Sequence, residues 1–507
     1  MVAVISAVFT IANSLHVILE WFKNPPDRYF TGIAHFFADF FLYAAQMKQG
    51  AGGSLLYYHR FTNESVPPTW IYWFNNLLGF IGRTLGLSPF ATYDISLFLL
   101  VIGCILLFYY FLVMLYPTHI KKRIIALLFI LTASPFFSLS DPAGLWFSPS
   151  LAFNRIGGVP HQVFQTILFL LLILTFAKSL TSFQIRNSIF LILLTILASS
   201  ANPIQMLIFV LAACLTTGIL FMRHKDVRVA TPLLVLLLFS FPAAWLTNKQ
   251  FDSPVFAVGK VWEASQWVNR SLPYVLTGIG PILLFIPFGI VPFLKKFRSL
   301  HVMIVSYAAI SFILFFSPVP AILATTPIRY LHPASYVLLP ILAVEGIFTN
   351  KRLIIVLLSL LYALLTIPSF TRELTARITP STNPGVLMDT EFNHVPLPVV
   401  TTLTWLGRQP TDPNRPVVLV DSSKRIELLV PAFADKTVFS GHPVHTLYPE
   451  VKEKLRRDFF DGNMSIDQQK QFLANHRIGW IISPKKHIPF ASLVFTNNEL
   501  SVFTVQQ

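Results

Sequence analysis

The feature that most limits this chain is its supply of long, uninterrupted apolar runs. A helix crossing a bilayer needs about 20 mostly apolar residues, or somewhat fewer when its flanks snorkel. Runs of that kind occur at roughly 2–22, 92–116, 124–140, 163–181, 187–201, 203–222, 230–246, 273–294, 301–320, 333–349 and 353–369, about eleven spans. Of all residues 54% are hydrophobic and only 12% are charged, and the mean hydropathy is +0.63. A soluble chain carries about 25% charged residues. The balance argues against a soluble multidomain enzyme, a disordered chain and a fibrous one. It predicts a mainly α polytopic membrane protein. The N-terminal run has no basic segment before it and no evident cleavage site, so it reads as a retained first span. Cys104 and Cys214 both lie in apolar runs and cannot supply a disulfide framework or a structural zinc site.

Lys and Arg exceed Asp and Glu by 38 − 23 = 15. In a membrane protein that excess orients the chain and does not argue for nucleic acid. Lys121-Lys122-Arg123, Lys178 with Arg186, the run from Arg223 to Arg228, Lys295-Lys296 with Arg298, and Lys351-Arg352 occupy every second loop. These short loops read as cytoplasmic. The outer loops are then about 23–91, 141–162, 247–272 and 321–332, and everything after about residue 370 is outside.

Two domains follow: a transmembrane domain over 1–369, with its first outer loop at 23–91, and an extracytoplasmic α/β domain over 370–507. In the second, apolar runs shrink to strand length. PVVLVDS, TVFSG, IGWIIS, LVFTN and LSVFTV read as short buried strands, and RIELLVPAF, PEVKEKLRRDFF and DQQKQFLANH as helices.

The first outer loop is too long to be a mere connection. Its spacing predicts an amphipathic helix from about Phe30 to Lys48, ending at Gly50. His35, Asp39, Tyr43, Gln46 and Gly50 recur at steps of three and four and make one polar stripe. Phe36, Phe37, Phe40, Phe41 and Leu42 cover the rest, as on a helix at the membrane interface with its aromatic surface in lipid or protein. A second interfacial helix follows in PPTWIYWFNNLLGFIGRTLGL. His35 precedes Asp39 by one helical turn. It reads as packing against or hydrogen-bonding Asp39, since two possible ligands do not make a metal site.

In these residues the chain resembles the bacterial GT-C-type integral-membrane glycosyltransferases, which use polyprenyl-phosphate sugars. The resemblance lies in Asp39 and Tyr43 on the interfacial helix, Gln46, Gly50 and Phe61-Thr62-Asn63-Glu64. It extends to the helical layout, the Asn202-Pro203 turn and the outer segment Phe439-Ser440-Gly441-His442-Pro443. It implies transfer of a sugar from a polyprenyl-phosphate donor to a glycan, lipid or protein acceptor of the cell envelope. The reaction would take place at the outer face of the cytoplasmic membrane. It also implies that Asp39 serves the acceptor or its metal. Many members have a His before the Pro of the middle loop; this chain has Asn202, which puts a His-dependent role there in doubt.

Such chemistry needs a base for the acceptor hydroxyl, cations for the departing phosphate and a groove for the isoprenoid. Asp39 is the candidate catalytic base, because desolvation near bilayer depth moves carboxylates towards a useful range. Arginine suits phosphate through its planar fork. Arg329, beside Tyr330 and His332, is the first choice, and Arg155, in a loop with Gly157-Gly158 and His161, the second. Tyr43, Gln46, His35, Glu64, His161 and His332 complete the candidate substrate-binding set. Trp262-Glu263 and Trp267 offer a sugar platform or an interfacial belt. The loop at 441–446, with His442, follows a strand and can bind a ligand, so the C-terminal domain reads either as packing over the outer loops to help recognise the acceptor or as a structural cap. No nucleotide-binding fingerprint and no metal-ligand set is present; no cofactor is named, and a divalent-metal requirement stays open.

The alternative is a transporter or flippase for a lipid-linked or small polar substrate. A transporter should carry ionisable residues in mid-span and matched repeats of interrupted helices. Here Glu345 and Asp94 are the exceptions, each near a span end, and the polar groups gather in the outer loops. A non-catalytic scaffold is the third reading; it predicts that Asp39 is dispensable.

Overall fold

The apolar runs fold as helices. The computed structural model describes residues 1–33, 37–136, 152–182, 184–266, 270–349, 352–378, 390–421 and 425–505. Among them, eight helices are long and apolar enough to cross a membrane: Val2–Phe22, Pro89–Leu115, Pro160–Ser179, Pro203–His224, Val227–Gln250, Ser299–Phe316, Pro327–Phe348 and Leu353–Thr375. Ile185–Ala201 and Ile286–Lys295 are apolar but shorter. The chain is a multi-pass membrane protein.

Three of the eleven expected spans are not among these eight; the run at 187–201 forms the helix Ile185–Ala201, of 17 residues, and the other two differ more. The run at 124–140 predicts one span; among the described residues it forms the helix Ile120–Thr132, of 13 residues, and 137–140 lie outside the described residues. The run at 273–294 is broken into Leu272–Ile279, a 3-10 turn Pro281–Leu284 and Ile286–Lys295. The break is at Gly280, whose φ of +85° suits glycine. A Cβ there would lie 1.9 Å from the carbonyl oxygen of Ser134. Hydropathy reads the whole run as one span because it does not register this backbone contact.

The chain divides into two compact units. The first comprises Met1–Leu15, Leu97–Lys249 and Glu263–Ala376. It is held by aromatic packing such as Phe153 on Phe9 (5.6 Å between centroids) and on Phe370 (4.6 Å). Glu345, the acidic residue that the sequence puts inside a span, is buried and carries two lysines: Lys122 Nζ at 2.9 Å, and Lys296 Nζ. A buried carboxylate with two cations is the paired arrangement that a low-dielectric interior requires.

The second unit comprises His16–Ser96, Gln250–Trp262 and Arg377–Gln507. Strand β1 (Arg28–Phe30) pairs antiparallel with β2 (His394–Pro396), in the register Arg28↔Pro396, Tyr29↔Val395 and Phe30↔His394. The remaining strands are β3 (Val417–Val420), β4 (Thr437–Val438), β5 (Ile478–Ser483), β6 (Ala491–Thr496) and β7 (Ser501–Val505), in the order β4-β3-β5-β7-β6. β3 runs parallel to β4 and β5, and β7 runs antiparallel to β5 and β6. Val417, Leu419, Phe459, Phe472, Ile481 and Phe503 share one core. The helix Ile466–Asn475 starts in a capping box, with Ser465 and Gln468 satisfying each other's backbone N–H.

Candidate functional site

Asp39 lies in the first turn of the helix Phe37–Ala51, where the partial positive charge of a helix N-terminus favours an anion. The spacing predicts this helix from about Phe30, but Phe30 is drawn into β1 by pairing with His394, and residues 34–36 lie outside the described residues. The aromatic face of the helix meets protein. Phe37 stacks on Phe392 (4.8 Å), Phe40 stacks on Phe90 (6.0 Å) and lies edge-on to Tyr93 (4.9 Å).

The polar stripe changes character along the helix. The Asp39 side chain is 40% exposed. Tyr43 is half-buried and stacks on Tyr93 at 6.4 Å. Gln46 is fully buried, and its Oε1 accepts from Asn75 Nδ2 at 2.7 Å. A Cβ on Gly50 would lie 1.9 Å from the carbonyl oxygen of Asn76, so glycine lets the helix Trp73–Thr84 approach. The lower part of the stripe thus joins two helices, and Asp39 is at its accessible end. His35 lies outside the described residues, as does Trp267.

The partner of Asp39 comes from the far end of the sequence. His442 Nε2 is 3.2 Å from Asp39 Oδ1, and the His442 side chain is only 2% exposed. The Val444 backbone N–H donates to His442 Nδ1 at 3.2 Å. That commits the Nδ1 lone pair, so the ring proton belongs on Nε2, facing the carboxylate. His445 lies edge-on to His442 at 4.8 Å, and its Nε2 is 3.3 Å from the Tyr72 hydroxyl. His59 stacks on His445 at 6.1 Å. Burial pushes His59 down to about 4. Burial, with His442 and His59 close by, pushes His445 well below the ordinary imidazole range.

The segment from Arg60 to Glu64 supports this arrangement. The Val438 N–H donates to the Arg60 carbonyl at 2.9 Å, and Thr62 bridges to Ser440. Glu64 accepts from Lys452 Nζ at 2.6 Å, and the same ammonium donates to Thr62 Oγ1 at 2.9 Å. Glu64 therefore has a structural partner in a lysine that is 4% exposed.

The basic candidates belong to the first unit. Arg329, in the 3-10 turn Pro327–Leu331, makes a two-pronged ion pair with Glu263, of which the Nε–Oε2 arm measures 2.8 Å. Arg155, half-buried at the end of the short helix Ala152–Gly157, is pushed down to about 10 by burial; Arg329 adds to this and Tyr336 opposes it. His332 is within electrostatic reach of both arginines. Its ring is 6.3 Å from that of Tyr336, whose hydroxyl meets Thr166 Oγ1 at 3.1 Å. His161, half-buried, occupies the first turn of the helix Pro160–Ser179. Arg155, Arg329 and His332 thus lie within electrostatic reach of one another. Asn202 caps the helix Pro203–His224 through its Oδ1, which accepts from the Gln205 N–H at 3.1 Å. Among the described residues, no group of three His, Cys, Asp or Glu side chains is placed to hold a metal ion.

Sequence reasoning placed His442 in a loop that can bind a ligand but did not connect it with Asp39, and it missed Glu263 as the partner of Arg329. Neither link leaves a local pattern, since the pairs are 403 and 66 residues apart.

The spans together with the small mixed sheet give a fold that is similar to those of solved archaeal oligosaccharyltransferases. The oligosaccharyltransferase of Archaeoglobus fulgidus in its apo form matches with a TM-score of 0.53 at 13% identity, covering 95% of this chain and 69% of its own. The archaeal oligosaccharyltransferase AglB from Archaeoglobus fulgidus, solved with an inhibitory peptide and a dolichol-phosphate, also gives 0.53, at 12% identity and the same coverage. At these identities the likeness is one of fold. No protein-family model matches the chain, and no curated protein matches it.

Proposed function

We propose that this chain is a membrane glycosyltransferase that moves a sugar from a polyprenyl-phosphate donor to a glycan, lipid or protein acceptor of the cell envelope. The reaction takes place at the outer face of the cytoplasmic membrane, and the C-terminal α/β segment lies on that side. The observation that carries the reading is Asp39: an accessible carboxylate at a helix start, held by a buried histidine. The AglB structure with dolichol-phosphate supports a lipid-linked donor.

In the reaction, Asp39 takes the proton of the acceptor hydroxyl. The acceptor oxygen forms a bond to the anomeric carbon of the sugar. The bond from that carbon to the phosphate oxygen breaks, and its electron pair leaves with the polyprenyl phosphate. Cations must stabilise the charge that develops on the phosphate, and Arg329 and Arg155 are the candidates by their chemistry.

The test is transfer of label from polyprenyl-phosphate sugars in membranes holding parent or Asp39→Asn at equal abundance. Asparagine keeps an oxygen for the His442 Nε2–H but takes up no proton. The variant should fold as the parent does and lose about 10²–10⁴-fold in rate. Equal activity in the two would remove Asp39 from the chemistry.

A further inference from the structure

Asp39 is held from a direction that its own loop cannot supply. The ring of His442 is wedged between Phe61 and His445, both edge-on, with centroids at 5.7 and 4.8 Å. The turn that carries it closes on itself. The N–H groups of His445 and Thr446 donate to the His442 carbonyl at 3.2 and 3.0 Å. The Gly441 N–H donates to Thr446 Oγ1 at 3.0 Å, and that hydroxyl donates to the Phe61 carbonyl at 2.8 Å. Turning the imidazole over would break the Val444 N–H···Nδ1 bond and present a carbon to Asp39. Packing and hydrogen bonding therefore fix both the rotamer and the tautomer.

We infer that His442 is the positioning residue for Asp39: its Nε2–H holds carboxylate Oδ1 and leaves Oδ2 turned to the acceptor hydroxyl. The inference rests on the proposed transferase reading, in which Asp39 is the base. The physical need is clear. A half-exposed aspartate on a first helical turn has two free side-chain torsions, and a reacting group must be held near its attack geometry for proximity to act. One charge-assisted bond from an immobile donor removes much of that freedom. A neutral ring protonated at Nε2 makes this bond without neutralising the base. The C-terminal segment thereby has a role in the chemistry beyond covering the first outer loop.

The experiment uses the full chain in lipid vesicles, with undecaprenyl phosphate carrying a tritiated hexose or pentose as probe donor. His442→Ala should lower kcat by about 10–100-fold, the scale of a small misplacement of a reacting group, with the donor KM nearly unchanged. His442→Gln, whose amide N–H reaches about as far as Nε2, should recover most of the loss. A second measurement needs no turnover: the histidine 15N spectrum of the parent, with the His442 signal assigned from His442→Gln. That signal should report a neutral ring protonated at Nε2 and should shift in Asp39→Asn.

If Asp39→Asn is inactive while His442→Ala keeps the parent kcat, Asp39 stays the base and the positioning role falls. A His442→Gln variant no better than Ala, with both folded, overturns it too. So does a ring protonated at Nδ1, or one that does not respond to Asp39→Asn. If Asp39→Asn is as active as the parent, the transferase reading falls first. Where His442→Ala does not fold, or the parent turns over neither donor, the spectrum decides.

Discussion

Arg329 and Glu263 form a bidentate ion pair: Nε of Arg329 donates to Oε2 of Glu263 at 2.8 Å, and Nη2 donates to Oε1. The sequence presents Arg329 as a cation available to phosphate, and the fold gives it a carboxylate. Because the Arg329 side chain is 45% exposed, the pair contributes about 0–1 kcal/mol, which a bidentate phosphate can replace. Glu263→Gln should tighten binding of undecaprenyl phosphate by up to about fivefold, the equivalent of about 1 kcal/mol. Arg329→Ala should weaken it, and Arg329→Lys should restore only part, since an ammonium lacks the fork. Titration of the lipid into the purified chain checks this. Equal weakening in Glu263→Gln and Arg329→Ala would make the pair a structural clasp.

Glu64 and Lys452 should respond unequally to mutation. Burial pushes the Lys452 ammonium below its ordinary value, and Glu64 opposes that shift. Glu64→Ala strands a buried cation, whereas Lys452→Met leaves a carboxylate that is 32% exposed and can hydrate. We expect a loss of about 1–3 kcal/mol for Glu64→Ala and a smaller loss for Lys452→Met. Thermal unfolding of both variants gives the ordering, and the reverse order would refute the burial argument.

Acid should destabilise the second unit. His59 and His445 have folded-state values below the ordinary 6.5, His59 at about 4. The unfolded chain therefore takes up protons first. Their contribution is complete above about pH 6.5 and declines as pH falls towards about 4, by up to about 1.4 kcal/mol per pH unit for each histidine. Melting temperatures from pH 7.5 to 4.5 should fall, and His59→Phe should flatten the slope. An unchanged slope in that variant would mean that His59 takes up its proton without cost.

The alternate basic loops predict an outer C-terminal segment. A phosphatase fused after β7 should be active, and a fusion that works only in the cytoplasm should be silent. The opposite result would reverse the orientation and end the outer-face reaction.

Several elements were legible because their causes are local. IGWIIS is β5 over Ile478–Ser483, and PEVKEKLRRDFF is the helix Pro449–Phe460. An apolar run of strand length and a 3.6-residue period depend on neighbours only a few positions away. The long apolar runs announced the membrane class for the same reason. Asp39, too, stood out through the helical spacing of its own stretch.

Tertiary structure decided what those residues meet. Phe30 carries helix-like spacing but becomes a strand because His394, far along the chain, offers a backbone partner. Gly280 breaks an apolar run because the Ser134 carbonyl comes too close for any side chain. Gln46, on the same stripe as Asp39, is buried on Asn75, whereas Asp39 stays half-exposed and takes its hydrogen bond from His442. Periodicity reports which residues share a face. It carries no information on which distant segment covers that face, because hydrogen bonds and packing between remote segments leave no pattern in either one.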